Sequence, residues 1–448
     1  MYRQAASIAY HGSLHFPTAL WWGSPIDTSK YGIGLSLLYL PGLGLFSWLR
    51  GAIPLQHGAS YDFGLLYGDP VYALAAAPIH ALLTAATAYL IARLLRDLGF
   101  SRRIALFGLI AYGIASPAII YARGDWAQPL LGFCWMAALV AAVRLRRSGG
   151  RGALIACAVA VGYGVLARPV EGSLIVPFLV LLLVPRWAAW RERETRARLA
   201  AIAAGYGTGV LITLLVDWGR YGSPFTTGYT GEGWTTLALP GLLGSLVSPV
   251  RGILWQFPAV VLSVVGLQRL WRTEHRRLAL ALGALAMVQL LNVALWDVWW
   301  GGANWGLRLF VPALPLLAVL AAAGLAALRP SLRPAIAALV LLGGALWALP
   351  AIVTDLFGGY TILADGSAGS FNLAALPVIG AWQFLHHLRA LTITDPAAVD
   401  IIWFRLARMT HNLSFIVPSA LLLAAIGLAA RVAKLTQTYN GSHADLPG

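Results

Sequence analysis

The chain has 448 residues, of which 59% are hydrophobic and only 11% charged, against roughly 25% charged in soluble domains. That balance excludes a soluble globular protein, and recurring apolar runs of spanning length, about 20 residues, make it an all-α, polytopic membrane protein. The net charge of +15 does not point to nucleic acid, because its source is a set of arginine-rich loops on one side of the membrane.

In chain order, Met1 to Gly12 has an amphipathic helical pattern closed by a glycine. Residues 13–30 read as loop. Residues 31–49 are apolar but carry four glycines and Pro41, which favours a re-entrant or surface-lying segment over a span. Residues 50–70 read as loop. About eleven spanning helices follow, near 70–93, 104–121, 127–143, 152–167, 171–185, 199–217, 252–268, 278–296, 309–327, 335–354 and 416–431. The organisation is an outer-face segment over 1–69, a transmembrane core over 70–354, an outer loop over 355–415, and a last helix with its tail over 416–448. Amphipathic stretches mark 376–391 and 396–409 within that outer loop.

Loop charge orients the helices. Alternate loops, Arg93 to Arg103, Arg144 to Arg151, Arg186 to Arg198, Arg269 to Arg277, Arg329 to Arg333 and the tail, hold 21 of the 32 basic residues and 5 of the 17 acidic ones. One parity accounts for every loop, so the basic side is cytoplasmic. The segment 1–30 then lies outside with no apolar helix before it. The expectation is an upstream helix missing through a truncated or mis-assigned start.

The densest stretch is Asp297 to Pro312, with three tryptophans, three glycines, Asn304 and Arg308 between two apolar runs. A cation near hydrocarbon is costly unless it reaches an anion or the interface. Glycines admit close backbone approach, and Trp299, Trp300 and Trp305 offer flat faces with one polar handle each. The set suits a ligand that is part anion, part sugar and part lipid; it also fits an interfacial aromatic belt with a snorkelling arginine. Lys30, Asp125, Arg168, Glu171, Asp217, Arg220 and Arg251 fall at or near helix ends of the same face. Several adjoin Gly, Pro or aromatic residues, as irregular backbone lining a cavity would. Arginine is suited to bidentate phosphate binding. Cys134 and Cys157 sit inside apolar runs and form no disulfide framework. No His/Cys metal spacing or nucleotide loop occurs; a divalent cation, Mg²⁺ or Mn²⁺, stays open as a cofactor.

Residues 297–312, with Tyr221-Gly-Ser-Pro-Phe-Thr-Thr-Gly-Tyr229 and Ser248-Pro-Val-Arg-Gly-Ile-Leu254, resemble bacterial GT-C glycosyltransferases of the protein O-mannosyltransferase and aminoarabinose transferase branch. The resemblance runs loosely over about residues 1–330 and is weak for the substrate. It implies a multi-pass bacterial inner-membrane enzyme with its active site on the extracytoplasmic face. Its partners would be membrane lipids, a polyprenyl-phosphate-linked sugar as donor, and an extracytoplasmic glycan, lipid or protein as acceptor, with inversion at the anomeric carbon. The family's first outer loop opens with an acidic pair, then an amphipathic helix, then a lysine near the donor phosphate. Met1 to Gly12 resembles that helix and Lys30-Tyr31-Gly32 the lysine segment; the acidic pair would precede Met1.

Donor phosphate would then fall to Lys30, Arg308, Arg251 and Arg168. The substrate would be lined by Tyr31, Glu171, Tyr221, Trp299, Trp300, Asn304 and Trp305. Where the family often carries a glutamate before a proline, this chain has Gln128-Pro129, with Asp125 three residues earlier. Asp125 and Asp27 are the candidate replacement bases, Asp125 reading equally as a structural residue, and Glu171 also reads as the ion-pair partner of Arg168. Two other classes fit the same charges: a transporter or flippase of a lipid-linked sugar, and an inactive GT-C-like partner lacking the acidic pair.

Overall fold

The structure, a computed structural model, describes residues 1–16, 19–21, 24–49, 77–122, 124–184, 187–302 and 306–353. The expected loop 355–415, the helix 416–431 and the stretch 303–305, with Asn304 and Trp305, lie outside the described residues.

The first outer-face segment holds α1 (Tyr2–His11), then a two-stranded antiparallel ribbon, β1 (Ala19–Trp21) and β2 (Ser24–Ile26), then α2 (Gly34–Leu49). The ribbon corrects the reading of 13–30 as plain loop. Gly12 ends α1 with a φ of 63°, its N–H bonded to Ile8 O, as the sequence leads one to expect. Pro41 sits inside α2 without ending it. Sixteen residues rise only about 24 Å as a straight helix, short of a hydrocarbon core of about 30 Å.

The core follows as α3 (Ala77–Asp97), α4 (Arg102–Gly113), α5 (Ala118–Tyr121), α6 (Gln128–Ser148), α7 (Arg151–Ala167), α8 (Pro169–Ser173), α9 (Val176–Leu183), α10 (Arg193–Tyr221), α11 (Ala238–Val247), α12 (Ile253–Gln256), α13 (Val260–Trp271), α14 (Arg276–Leu295), α15 (Leu314–Ala327) and α16 (Arg333–Val353). Among the described residues five segments are long and apolar enough to cross a membrane: Pro78–Asp97, Gln128–Ser148, Arg193–Tyr221, Arg276–Leu295 and Arg308–Ala327. Others of the expected spans are broken. Pro117 separates α4 from α5, and Pro258 follows the end of α12. The residue before a proline is disfavoured in the α region, which explains both breaks.

Small residues let α7 and α10 touch along their backbones. A Cβ on Gly162 would fall 2.5 Å from Gly205 O, and one on Gly209 would fall 2.5 Å from Gly162 O. This is the close small-residue packing that membranes favour, where water supplies no hydrophobic drive. α6 and α15 are the most enclosed helices, and α15 packs against α13 and α4.

The two ends of the bundle differ. At one end the arginine-rich loops meet. Arg93 and Arg144 reach the Asp97 carboxylate at 3.2 and 3.5 Å, Arg277 donates to Val184 O at 2.6 Å, and Arg269 lies over Phe100 at 5.4 Å. These cations meet helix C-termini, where free carbonyls and the macrodipole favour positive charge. At the other end lie α1, the ribbon, the 222–237 loop and residues 297–302 and 306–309. The parity inferred from charge alone thus reappears as two physical ends.

Candidate functional site

A cavity of about 240 Å³ opens at the mixed-charge end. It is smaller than the roughly 300–1,000 Å³ of drug-sized ligand pockets, so it fits one small headgroup. Four chain segments build it: Lys30–Ile33, the α7–α8 junction Arg168–Glu171, the last turns of α10 with Thr213, Asp217 and Arg220, and the loop that carries Gly228, Tyr229 and Glu232. Trp234, Asn292, Trp296 and Leu309 complete the wall.

Close backbone contact fixes the Lys30 segment. A Cβ on Gly34 would fall 2.8 Å from Ala167 N, so this chain lies directly on the end of α7. Arg220 donates to Tyr31 O at 2.9 Å and also to the Gln4 side chain, tying α1 and the Lys30 loop to α10. Tyr221 OH donates to Ser29 O at 3.3 Å. Tyr221 therefore supports the loop from behind and does not line the cavity.

The charges come as pairs. Lys30 Nζ lies 2.6 Å from Glu232 Oε1, with the two side chains 32% and 27% exposed. The same ammonium sits 5.3 Å from the Tyr229 ring centre and 5.8 Å from that of Tyr31, within cation–π range. Arg168 Nε donates to Glu171 Oε1 at 2.7 Å, in a pair that is almost buried. Burial opposes the Arg168 charge, but Glu171, then Tyr229 and Tyr31, outweigh it and raise the guanidinium above its ordinary value. Glu171 is thus the ion-pair partner of Arg168. Burial pushes the Tyr229 hydroxyl up, and the charges of Arg168 and Arg308 pull the other way. Tyr31, Tyr229, Trp296 and Trp234 form a chain of edge-to-face contacts, with centroid separations of 6.3, 5.9 and 5.5 Å.

Arg308 differs from the other cations. Its guanidinium lies 4.3 Å from the Trp126 ring centre, one residue from cavity-lining Leu309. Among the described residues it meets no carboxylate, and its Nε is buried without a partner. The backbone below it is held from beneath. Arg251 donates to Gly306 O at 2.9 Å and Gly302 O at 3.2 Å, Gln256 accepts from Leu307 N at 2.9 Å, and Gln289 donates to Leu309 O at 2.8 Å. Gly306 has a φ of 70° and sits against Gln256 and Trp347, where a side chain has no room. Irregular backbone at membrane depth needs such partners. Arg251 is fully buried and serves this scaffold, away from the cavity.

Several other sequence candidates also lie apart from the cavity. Trp299 is buried against Gly244 and edge-on to Trp300 at 6.0 Å, so both rings brace the Asp297 to Pro312 stretch from outside the cavity wall. Asp125 accepts from Tyr2 N at 3.0 Å and Tyr39 OH at 2.8 Å, with Met1 N at 3.1 Å; Tyr39 OH also meets His80 Nε2. Burial would raise the Asp125 carboxyl, but Met1 N, the Tyr2 amide, His80 and Tyr39 together hold it below the usual carboxylate range. That arrangement fastens α1 to the bundle. Asp27 is half exposed and pairs with His15 Nδ1 at 3.0 Å. Among the described residues no group of three His, Cys, Asp or Glu side chains converges as a metal site would.

No protein-family model and no curated protein matches this chain. Two solved structures are similar to it. One is ArnT from Cupriavidus metallidurans in the apo state, 17% identical, covering 87% of this chain and 71% of that one with a TM-score of 0.46. The other is ArnT from Cupriavidus metallidurans bound to undecaprenyl phosphate, 15% identical, covering 88% of this chain and 73% of that one with a TM-score of 0.46.

Sequence reasoning identified Lys30, Tyr31, Arg168 and Glu171 in the cavity, and Arg308 at its edge. It did not assign site roles to Glu232, Tyr229, Trp234, Asn292 and Trp296. The Tyr229 and Glu232 signals were present in the 218–250 loop, but the Lys30–Glu232 pair spans 202 positions and no local pattern announces it.

Proposed function

We propose that this protein is a membrane glycosyltransferase of GT-C type that moves a sugar from a polyprenyl-phosphate donor to an extracytoplasmic acceptor with inversion. The observation that carries the reading is Arg308. It is a guanidinium stacked on an aromatic ring and free of carboxylate partners among the described residues, beside a small cavity walled by aromatic rings and ion pairs. A guanidinium with an unfilled fork at a membrane boundary is suited to a phosphate.

In this reading the lipid tail runs between helices, the phosphate reaches Arg308 and Lys30, and the sugar lies against Tyr31, Tyr229 and Trp296. Glu232 holds Lys30 while no donor is present; donor phosphate takes that place at the ammonium and neutralises it better, bearing more charge than a carboxylate once the ester breaks. As the bond between the anomeric carbon and the phosphate oxygen breaks, its electron pair goes to the leaving phosphate. Lys30 and Arg308 stabilise that charge where it develops. The site faces away from the arginine-rich end, which supports an extracytoplasmic position in a bacterial inner membrane.

Binding of a polyprenyl phosphate to the protein in lipid nanodiscs tests the reading. Removing one charged hydrogen bond to phosphate costs about 1.5–3 kcal/mol, so Arg308→Ala and Lys30→Ala each lower affinity by roughly 10- to 100-fold. Arg308→Lys falls short of the wild type because the fork is lost. Unchanged affinity in both alanine variants would remove this donor site.

A further inference from the structure

One wall of the cavity is tied together through its backbone. Where the 222–237 loop meets the end of α14, Asp297 N donates to Gly233 O at 2.8 Å and Thr236 N to Leu295 O at 3.1 Å. The Thr236 hydroxyl donates to Trp296 O at 2.8 Å. On that seat Trp234 stands edge-on to Trp296 at 5.5 Å and donates its indole N–H to Asn292 Oδ1 at 3.0 Å. Trp234, Asn292 and Trp296 all line the cavity. The indole bond fixes which way the Asn292 carboxamide is turned. An indole N–H can only donate, so the atom facing it is the amide oxygen. The amide nitrogen, with its two N–H groups, lies on the other side of the carboxamide, and among the described residues no acceptor meets it. The loop does not need this side-chain bond to stay in place, because the three bonds to α14 and its end already hold it.

From this geometry we infer that Asn292 selects the donor sugar by donating its amide N–H to a ring hydroxyl, and that Trp234 is the positioning residue that keeps the amide turned that way. The inference rests on the donor reading above and narrows it to the sugars that the site takes. A sugar ring laid against Tyr229 or Trp296 turns its C–H groups to the aromatic wall and its hydroxyls to the rim, where a few placed polar groups set orientation. Asn292 stands at that rim, one helical turn before Trp296. A hydroxyl oxygen accepts from the amide. An ammonium at the same place brings only donors to a group that itself donates, and a methylene leaves the amide without an acceptor. The site therefore takes a sugar with a hydroxyl at the position facing Asn292 and discriminates against one with an ammonium there. A site built to hydrogen-bond a hydroxyl rejects analogues that lack it better than an apolar wall rejects a change of size.

The test uses the full chain in nanodiscs. The probes are polyprenyl-phosphate glucose, mannose and arabinose, with the methyl ester of polyprenyl phosphate as the reference that has the same single negative charge and no sugar. The wild type binds at least one sugar-bearing lipid more tightly than the methyl ester. Asn292→Leu cuts that preference by about 2- to 10-fold, the effect of one neutral hydrogen bond, and keeps its methyl ester affinity within about twofold. For the sugar lipid bound most tightly, each hydroxyl is then replaced in turn by an ammonium. The wild type rejects one of these versions, and Asn292→Asp prefers that version to the parent sugar. Trp234→Phe keeps an aromatic ring but frees the amide to turn over, so it discriminates less than the wild type. An unchanged sugar preference in Asn292→Leu overturns the assignment and leaves the donor reading standing. So does a loss shared equally by the methyl ester, which is what a merely structural Asn292 would give, or a wild type that binds the methyl ester as tightly as every sugar lipid. Should Asn292→Leu fail to fold, the rankings of Asn292→Asp and Trp234→Phe decide, and a wild-type ranking in both overturns the assignment. Failure of the wild type to bind polyprenyl phosphate or any of these esters sinks the donor reading, and the inference with it.

Discussion

Asp125 and the Lys30–Glu232 pair both lie at the mixed-charge end of the bundle, and both join segments distant in sequence. They are built in opposite ways. Asp125 collects a backbone N–H, a tyrosine hydroxyl and Met1 N within 3.1 Å, none of which faces the cavity. Among the described residues Lys30 and Glu232 meet only each other's charge; they are about one-third exposed, and both line the cavity. A carboxylate met by several local donors is a fastener, because any competing ligand would have to replace all of them. An ion pair on a cavity wall is exchangeable, because a single better anion satisfies the cation. The contrast explains why sequence position alone leaves Asp125 open as base or structural residue: its helix-end location and its acidic character fit either role, and its partners favour the fastener.

The largest expected effect lies at the fastener. Asp125→Ala removes the acceptor that the Tyr2 N–H and the Tyr39 hydroxyl share and is expected to cost about 3 kcal/mol, in the range for breaking a buried charged contact. Thermal unfolding in detergent, together with protease protection of residues 1–16, would show it; full protection in the variant would mean that α1 docks by other means. The same contact gives a pH signature. The Asp125 carboxyl is held below its ordinary value in the fold. Its contribution is therefore fully present above the unfolded value of about 3.9, and is lost as pH falls through the lowered folded value. Release of α1 between pH 7 and 5 would contradict this, whereas release only in stronger acid agrees with it.

A smaller effect separates the two cavity pairs. Glu171→Gln strands Arg168 where its side chain is 9% exposed, so it should destabilise the fold by about 3 kcal/mol or less. Glu232→Gln breaks a pair open to solvent and should change stability by no more than about 1 kcal/mol. Parallel melts of the two variants compare them directly. Equal losses would mean that Lys30–Glu232 is structural, and the distinction drawn from exposure would fall.

Much of the fold was legible because charge and apolar length act over whole segments. The alternation of Arg93 to Arg103, Arg144 to Arg151 and Arg269 to Arg277 is a sum over many residues, and the structure gathers those loops at one end. Breaks inside the apolar runs were less legible. Pro117 and Pro258 interrupt stretches whose hydropathy continues across them. The ribbon Ala19–Ile26 has no alternating pattern long enough to announce two three-residue strands. In the site, Lys30 with Tyr31 and Arg168 with Glu171 were legible as neighbours in sequence. Glu232, Trp296 and Asn292 reach the cavity through tertiary packing of the 222–237 loop on α14, which no local spacing encodes. The backbone contacts of Arg251 were not legible, because a buried arginine bound to backbone carbonyls has the same sequence surroundings as one awaiting a phosphate.

On the proposed function, donor phosphate takes the place of the Glu232 carboxylate at Lys30. The most direct measurement is the affinity of Glu232→Gln for a polyprenyl phosphate in nanodiscs, compared with wild type and Lys30→Ala. Removing the resident anion removes a competitor, so Glu232→Gln should bind several-fold tighter, up to the fivefold or so that about 1 kcal/mol of an exposed ion pair represents, while Lys30→Ala binds more weakly. Weaker or unchanged binding by Glu232→Gln would contradict the exchange, because the Glu232 carboxylate would then not stand where the phosphate goes.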